Sequence, residues 1–133
     1  MVRQLTVRSR EKAELIDITA QVEELVAGQR VLTGCCDIFV PHTTAGVTVN
    51  EGADPAVKRD IVHFLDKLVP NAPYFTHAEG NSAAHVKATL TGCSVRLLIE
   101  KGKLLLGTWQ AIYFCEYDGP RERKVMIRIG SED

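Results

Sequence analysis

No run in this 133-residue chain approaches the ~20 apolar residues that span a bilayer. The opening Met1–Arg10 has no long apolar region of the kind that leads a chain into secretion. The four cysteines, Cys35, Cys36, Cys93 and Cys115, contain no Cys-x-x-Cys pair. A thiolate zinc knuckle and a thioredoxin-like motif are therefore unsupported. The cysteines lie in strand-like apolar runs, where a free thiol acts as a small hydrophobe. Charge of one sign is also lacking. Lys plus Arg number 16 and Asp plus Glu 17, for a net −1, which gives no general reason to bind nucleic acid or an anionic membrane. Arg121, Arg123 and Lys124 cluster, but three charges in a turn read as solvated. Internal repeats and low-complexity segments are absent. These absences predict a reduced, cytoplasmic protein whose partners include neither nucleic acid nor membrane.

What remains is ordinary globular composition, 45% hydrophobic and 25% charged, in a length that suits one domain over 1–133. Residues 2–8 alternate like a strand. Asp17 to Gly28 reads as the end of a strand followed by a helix, with Thr19 as cap, Val22, Leu25 and Val26 as apolar face and Gly28 as stop. Val31 to Val40 predicts a strand with Leu32, Cys36, Ile38 and Val40 on one side. After the break at Pro41, Val47 and Val49 resume the β pattern, and Asn50-Glu51-Gly52 ends it. Asp54-Pro55 opens the clearest helix, with an Asp N-cap, Pro in the first turn and a stripe of Val57, Ile61, Phe64, Leu65 and Leu68. His63 falls opposite that stripe, exposed. Ser94 to Glu100, Leu104 to Tyr117 and Lys124 to Ile129 read as three strands joined by short turns, predicting an antiparallel meander. The order predicts an α+β fold, mainly antiparallel sheets with two to three helices packed on them.

The densest chemistry is His77-Ala-Glu-Gly-Asn-Ser-Ala-Ala-His85. Asn81 or Ser82 is a good N-cap for a helix that Gly92 stops. At about 100° per residue, Ala83, Val86 and Leu90 share one face, and Asn81, Ser82, His85, Ala88 and Thr89 the other. The second face is small and polar, with one projecting imidazole and none of the Lys, Glu and Arg of an ordinary solvent face. His77 and Glu79 lie in the loop entering the helix, where free amides and the dipole favour anions. A second cluster, Pro41-His42-Thr43-Thr44, places an imidazole and two hydroxyls at a strand edge. It can hold a phosphate or a metal, and it reads equally well as an edge strand with a polar face. Trp109 reads first as a core or contact aromatic and second as a stacking platform.

Three motifs carry a resemblance: Phe39 to Glu51, His77 to His85 and Leu106 to Pro120. Together they resemble the YjbQ-type family, whose members are often described as secondary thiamine-phosphate synthases. The resemblance implies a compact α+β domain, a homotrimer and a weak activity that joins hydroxymethylpyrimidine diphosphate to thiazole phosphate, releasing diphosphate. By resemblance the site gathers His42, Thr43, Thr44, Asn50 and Glu51 from the first motif. The second supplies His77, Glu79, Asn81 and His85, with Ser82 as a further donor, and the third Thr108, Trp109 and Gln110. In this reading His77, His85, Glu51 and Glu79 are catalytic. Thr43, Thr44, Asn50, Asn81, Ser82, Thr108, Trp109 and Gln110 bind a small phosphorylated metabolite. Magnesium would assist the leaving diphosphate. Two alternatives stand beside it. His42, His77 and His85 could hold a zinc or other divalent metal with one position open to water, for hydrolysis or lyase chemistry on a phosphorylated compound. The chain could instead be a non-catalytic oligomeric ligand-binding module.

Overall fold

The computed structural model of the chain describes residues 1–132. In order, its elements are β1 (Val2–Arg8), β2 (Glu14–Asp17), α1 (Thr19–Gln29), β3 (Gly34–Phe39), β4 (Ala45–Glu51), α2 (Pro55–Leu68), α3 (Ser82–Thr91), β5 (Ser94–Glu100), β6 (Lys103–Leu104), β7 (Gln110–Glu116) and β8 (Glu122–Ser131). The fold is α+β with antiparallel sheets and three helices. One sheet has the strand order β1-β8-β3-β5-β6 and the other β2-β7-β4.

The predicted meander of the last strands does not form. β5 and β6 make a hairpin, but β7 lies between β2 and β4, and β8 crosses to the first sheet between β1 and β3. The residue pattern explains this. From Ala111 to Tyr117 every residue is buried, so β7 needs cover on both faces. In β8, Arg123, Val125 and Ile127 are buried while Glu122, Lys124 and Arg128 are exposed. That alternation suits a sheet covered on one face.

The layers follow. Between the sheets sits the main core, built from Cys36, Ile38, Val125 and Ile127 of one sheet, Val47, Ile112 and Phe114 of the other, and Val22 and Val26 of α1. On the far face of the three-stranded sheet, Leu15, Ala111, Tyr113 and Cys115 meet Ala84 and Ala88 of α3, with Ile61, Val62 and Leu65 of α2 alongside.

Several local expectations change. Thr19 is the first residue of α1 rather than its cap. Its hydroxyl donates to Asp17 (2.6 Å) and accepts the Ile112 amide (2.8 Å), tying the helix to β7. Gly28 does not stop α1; Arg30, at φ 55°, closes it one residue past Gln29. Leu32 is 68% exposed because β3 begins only at Gly34. The Asp54 cap holds, accepting from the Ala56 amide at 2.9 Å, and His63 is exposed. The α2 stripe is shallower than predicted, with Phe64 62% and Leu68 56% exposed.

The largest change concerns α3. Val86 and Leu90 face outward, and Ala83, Ala84, Lys87 and Ala88 face the sheet. Small side chains win the inner face because the helix lies very close to β4. A Cβ on Gly46 would stand 2.5 Å from the Gly92 carbonyl oxygen and 3.2 Å from Thr91 Cγ2. Leu90 or Val86 on that face would hold the backbones apart.

Candidate functional site

At the amino end of α3 the rings of His77 and His85 stand edge to face with centroids 5.2 Å apart. The preceding loop folds back through a bond from the Gly80 amide to the His77 carbonyl (3.1 Å), with Gly80 at φ 74°. His77 Nε2 lies 3.9 Å from Glu79 Oε2, so the exposed His77 and Glu79 form one group with the half-buried His85. Asn81 occupies the N-cap position but makes no side-chain cap. Its amide Nδ2 instead donates to Asp118 Oδ2 at 2.8 Å, and its Oδ1 is buried with no partner. Ser82 is half-buried on the first turn and its hydroxyl also makes no cap. The amides of Ser82 and Ala83 therefore remain free.

Asp118 is the junction between this motif and the third. Lys12 Nζ (2.7 Å), Arg121 Nη2 (3.0 Å) and Asn81 all donate to it. Burial pushes its pKa up, but the Lys12 and Asn81 bonds prevail and hold the carboxyl below its ordinary value. Two residues earlier Glu116 is fully buried against Arg123, whose Nε lies 3.0 Å from Oε1. Ser9 Oγ donates to the same carboxylate at 2.6 Å. The Arg121–Lys124 cluster is thus not uniformly solvated: Arg123 is a core cation. The signal in the sequence was its in-facing position in the alternation Arg123, Val125, Ile127.

Arg123 also reaches the first motif, donating to Thr44 Oγ1 at 2.9 Å. Thr44 is buried and its hydroxyl engaged, so it supports the loop rather than offering a free donor to a ligand. Thr43 is exposed beside it. His42 Nε2 accepts the Lys124 amide at 3.0 Å, which requires a lone pair on that nitrogen. Burial, followed by the nearby Arg123 charge, lowers the His42 pKa below 6.5. Both the bond and the lowered pKa favour the neutral ring.

The remaining predicted residues lie elsewhere. In the β4–β7 ladder Ala45 faces Glu116 and Glu51 faces Gln110. Six strand steps separate the two ends, roughly 20 Å. Asn50, Glu51, Thr108, Trp109 and Gln110 occupy the far end. There Asn50 Oδ1 accepts the Glu51 amide (2.7 Å), Tyr113 Oη donates to the Glu51 carbonyl (2.8 Å) and Gln110 Oε1 accepts the Gly107 amide (2.8 Å). Trp109 is 64% exposed, not a core aromatic. Within one chain the three motifs thus form two groups, not one pocket.

Among the described residues no group of three or more His, Cys, Asp or Glu side chains is placed to hold a metal ion. The one-chain geometry does not fit the three-imidazole centre: His77 and His85 pair with each other, while His42 is engaged by β8. The thiols of Cys36 and Cys115 are buried, and burial pushes them up to about 11 and about 12, which suits packing groups rather than nucleophiles. A hollow of about 690 Å³ lies on the outer face of the five-stranded sheet around Asp37, Arg96 and Arg128, and holds none of the predicted site residues.

A two-sheet α+β scaffold with a His–His–Glu group gathered where a loop enters a small-residue helix defines the class. The comparisons then identify the family. Residues 3–132 match the model for UPF0047 protein YjbQ-like. The chain is 48% identical over 129 residues to a UPF0047 protein of Methanocaldococcus jannaschii, covering 97% of this chain and 94% of that one. It is 44% identical to the UPF0047 protein YugU of Bacillus subtilis, covering 97% and 98%. The crystal structure of an uncharacterised YjbQ/UPF0047-family protein from Clostridium acetobutylicum superposes with a TM-score of 0.94 at 49% identity, covering 96% of this chain and 99% of that one. A hypothetical protein from Aeropyrum pernix gives 0.94 at 37% identity, covering 99% of each. The chain belongs to the YjbQ-like UPF0047 family, whose function is uncharacterised. No helix among the described residues is long and apolar enough to cross a membrane.

Proposed function

We propose that this chain is an enzyme acting on small phosphorylated metabolites at the amino end of α3, with thiamine-phosphate synthase as a weak activity of that site. The observation that carries the reading is the edge-to-face His77–His85 pair with Glu79 beside His77. In the coupling, the thiazole nitrogen forms a bond to the pyrimidine methylene carbon. The carbon–oxygen bond to diphosphate breaks, and diphosphate leaves with the electron pair. Charge therefore develops on the leaving oxygens, where donors and protons stabilise it. His85 or His77 as imidazolium delivers a proton there. Glu79 orients His77 and balances its positive charge, and the free Ser82 and Ala83 amides face anionic oxygen at the positive end of the helix dipole.

The motifs hold no Asp cluster and few cations, which favours a slow side reaction over a dedicated synthase. The test is steady-state formation of thiamine phosphate from the two substrates by wild type and His85→Ala, with and without Mg²⁺. The expected kcat/KM for wild type is below the ~10⁴ M⁻¹s⁻¹ at the low end of ordinary enzymes. Loss of the proton donor in His85→Ala lowers it further, by ~10²–10⁴-fold. An unchanged rate in the variant removes the site from this reaction.

A further inference from the structure

Behind the histidine pair, on the sheet-facing side of α3, a cleft of about 250 Å³ opens between the end of α2 and the first turns of α3. That is well beyond the ~10–15 Å³ one water needs. Two features of its lining are incompletely satisfied. Lys87 carries an ammonium whose side chain is only 9% exposed, with Asp66 as its hydrogen-bond partner. An ammonium has three donors, and a buried one left short of acceptors costs free energy. Asn81 also lines the cleft, and its Oδ1 is buried with no donor in reach. Lys12 stands at the rim, 70% exposed and bonded to Asp118. The cleft therefore offers surplus donors on cations and one buried acceptor.

From this pairing we infer that the cleft is a subsite for a protonated phosphate group, either inorganic hydrogen phosphate or the phosphate of a monoester. The P–O⁻ oxygens accept from Lys87 and Lys12. The P–O–H donates to Asn81 Oδ1, the one contact that a fully deprotonated tetrahedral anion cannot make. The inference deepens the reading of the α3 site by naming where a substrate phosphate sits, and it can fail or stand independently of the synthase reaction.

The experiment is calorimetric titration of the full chain with inorganic phosphate, methyl phosphate and sulfate. Wild type should bind both phosphates saturably and sulfate at least tenfold more weakly. Lys87→Gln should weaken phosphate at least tenfold. Because that variant alters a buried pair, Asp66→Asn provides the second arm: it removes the competing carboxylate at a half-exposed position, and phosphate should bind several-fold more tightly. His63→Ala, at an exposed position outside the cleft, should bind phosphate like wild type. Absence of saturable phosphate binding overturns the inference, and so does sulfate bound as tightly as phosphate, or phosphate affinity unmoved by both Lys87→Gln and Asp66→Asn. Saturable phosphate binding without any thiamine-phosphate formation sinks the synthase reading and leaves the subsite standing.

Discussion

At the scale of single residues, the Glu116–Arg123 pair decides most. Both side chains are essentially inaccessible, and Ser9, Thr44 and the Asp118 amide complete their hydrogen bonds. Burial alone would raise the glutamate's pKa, but the Arg123 and Ser9 bonds outweigh it and hold Glu116 below its ordinary 4.5. A carboxylate with a lowered folded-state pKa contributes stability that is fully present above its unfolded value. That contribution is lost as the pH falls through the folded value. Glu116→Gln leaves Arg123 as an uncompensated buried cation, at a cost of ~3–5 kcal/mol near neutral pH. Urea unfolding at pH 7, repeated down through pH 4.5, should show that loss together with a flatter acid limb than wild type. Equal acid limbs would mean that Glu116 is not the group whose protonation loosens the fold.

At the scale of elements, α3 depends on how closely it can lie against β4. Gly46→Ala puts a methyl into the Gly92 carbonyl, and such overpacking costs ~1–3 kcal/mol. Because α3 carries His85, the same substitution should lower turnover beyond what the loss of folded protein explains. Denaturant melts with activity measured on the folded fraction check both. Much was legible in the sequence here. Asp54-Pro55 marked the start of α2 because capping is local chemistry, and the paired histidines lay close enough in sequence for one turn to bring them together. The facing of α3 was not legible, because the choice between its Val86–Leu90 face and its alanine face is made by a glycine on another element. Nor was the division of the candidate residues between two ends of β4. That follows from β7 leaving its sequence neighbours to pair with β4, a long-range outcome. Arg123 was misread because its partner, Glu116, lies across a change of sheet.

At the scale of the whole molecule, one chain leaves a good deal of apolar surface in water. Phe39, Leu98 and Leu105 are about half exposed on the bare side of the five-stranded sheet or at its edge, and Phe64, Leu68 and Leu90 lie on the outer sides of α2 and α3. Self-association would cover such surface, and the homotrimer implied by the family resemblance is the form we expect. Light scattering on the eluted peak should return three times the 14.7 kDa chain; a mass of one chain rules that out. The close seat of α3 has a further consequence. β4 pairs with β7 on one side only, and on its other side the Val47 amide donates to the Gly92 carbonyl at the end of α3. The helix is thus a guard over the open edge of a strand rich in β-branched residues. Lifting it would bare unpaired backbone to neighbouring molecules and turn a local loosening into a seed for aggregation.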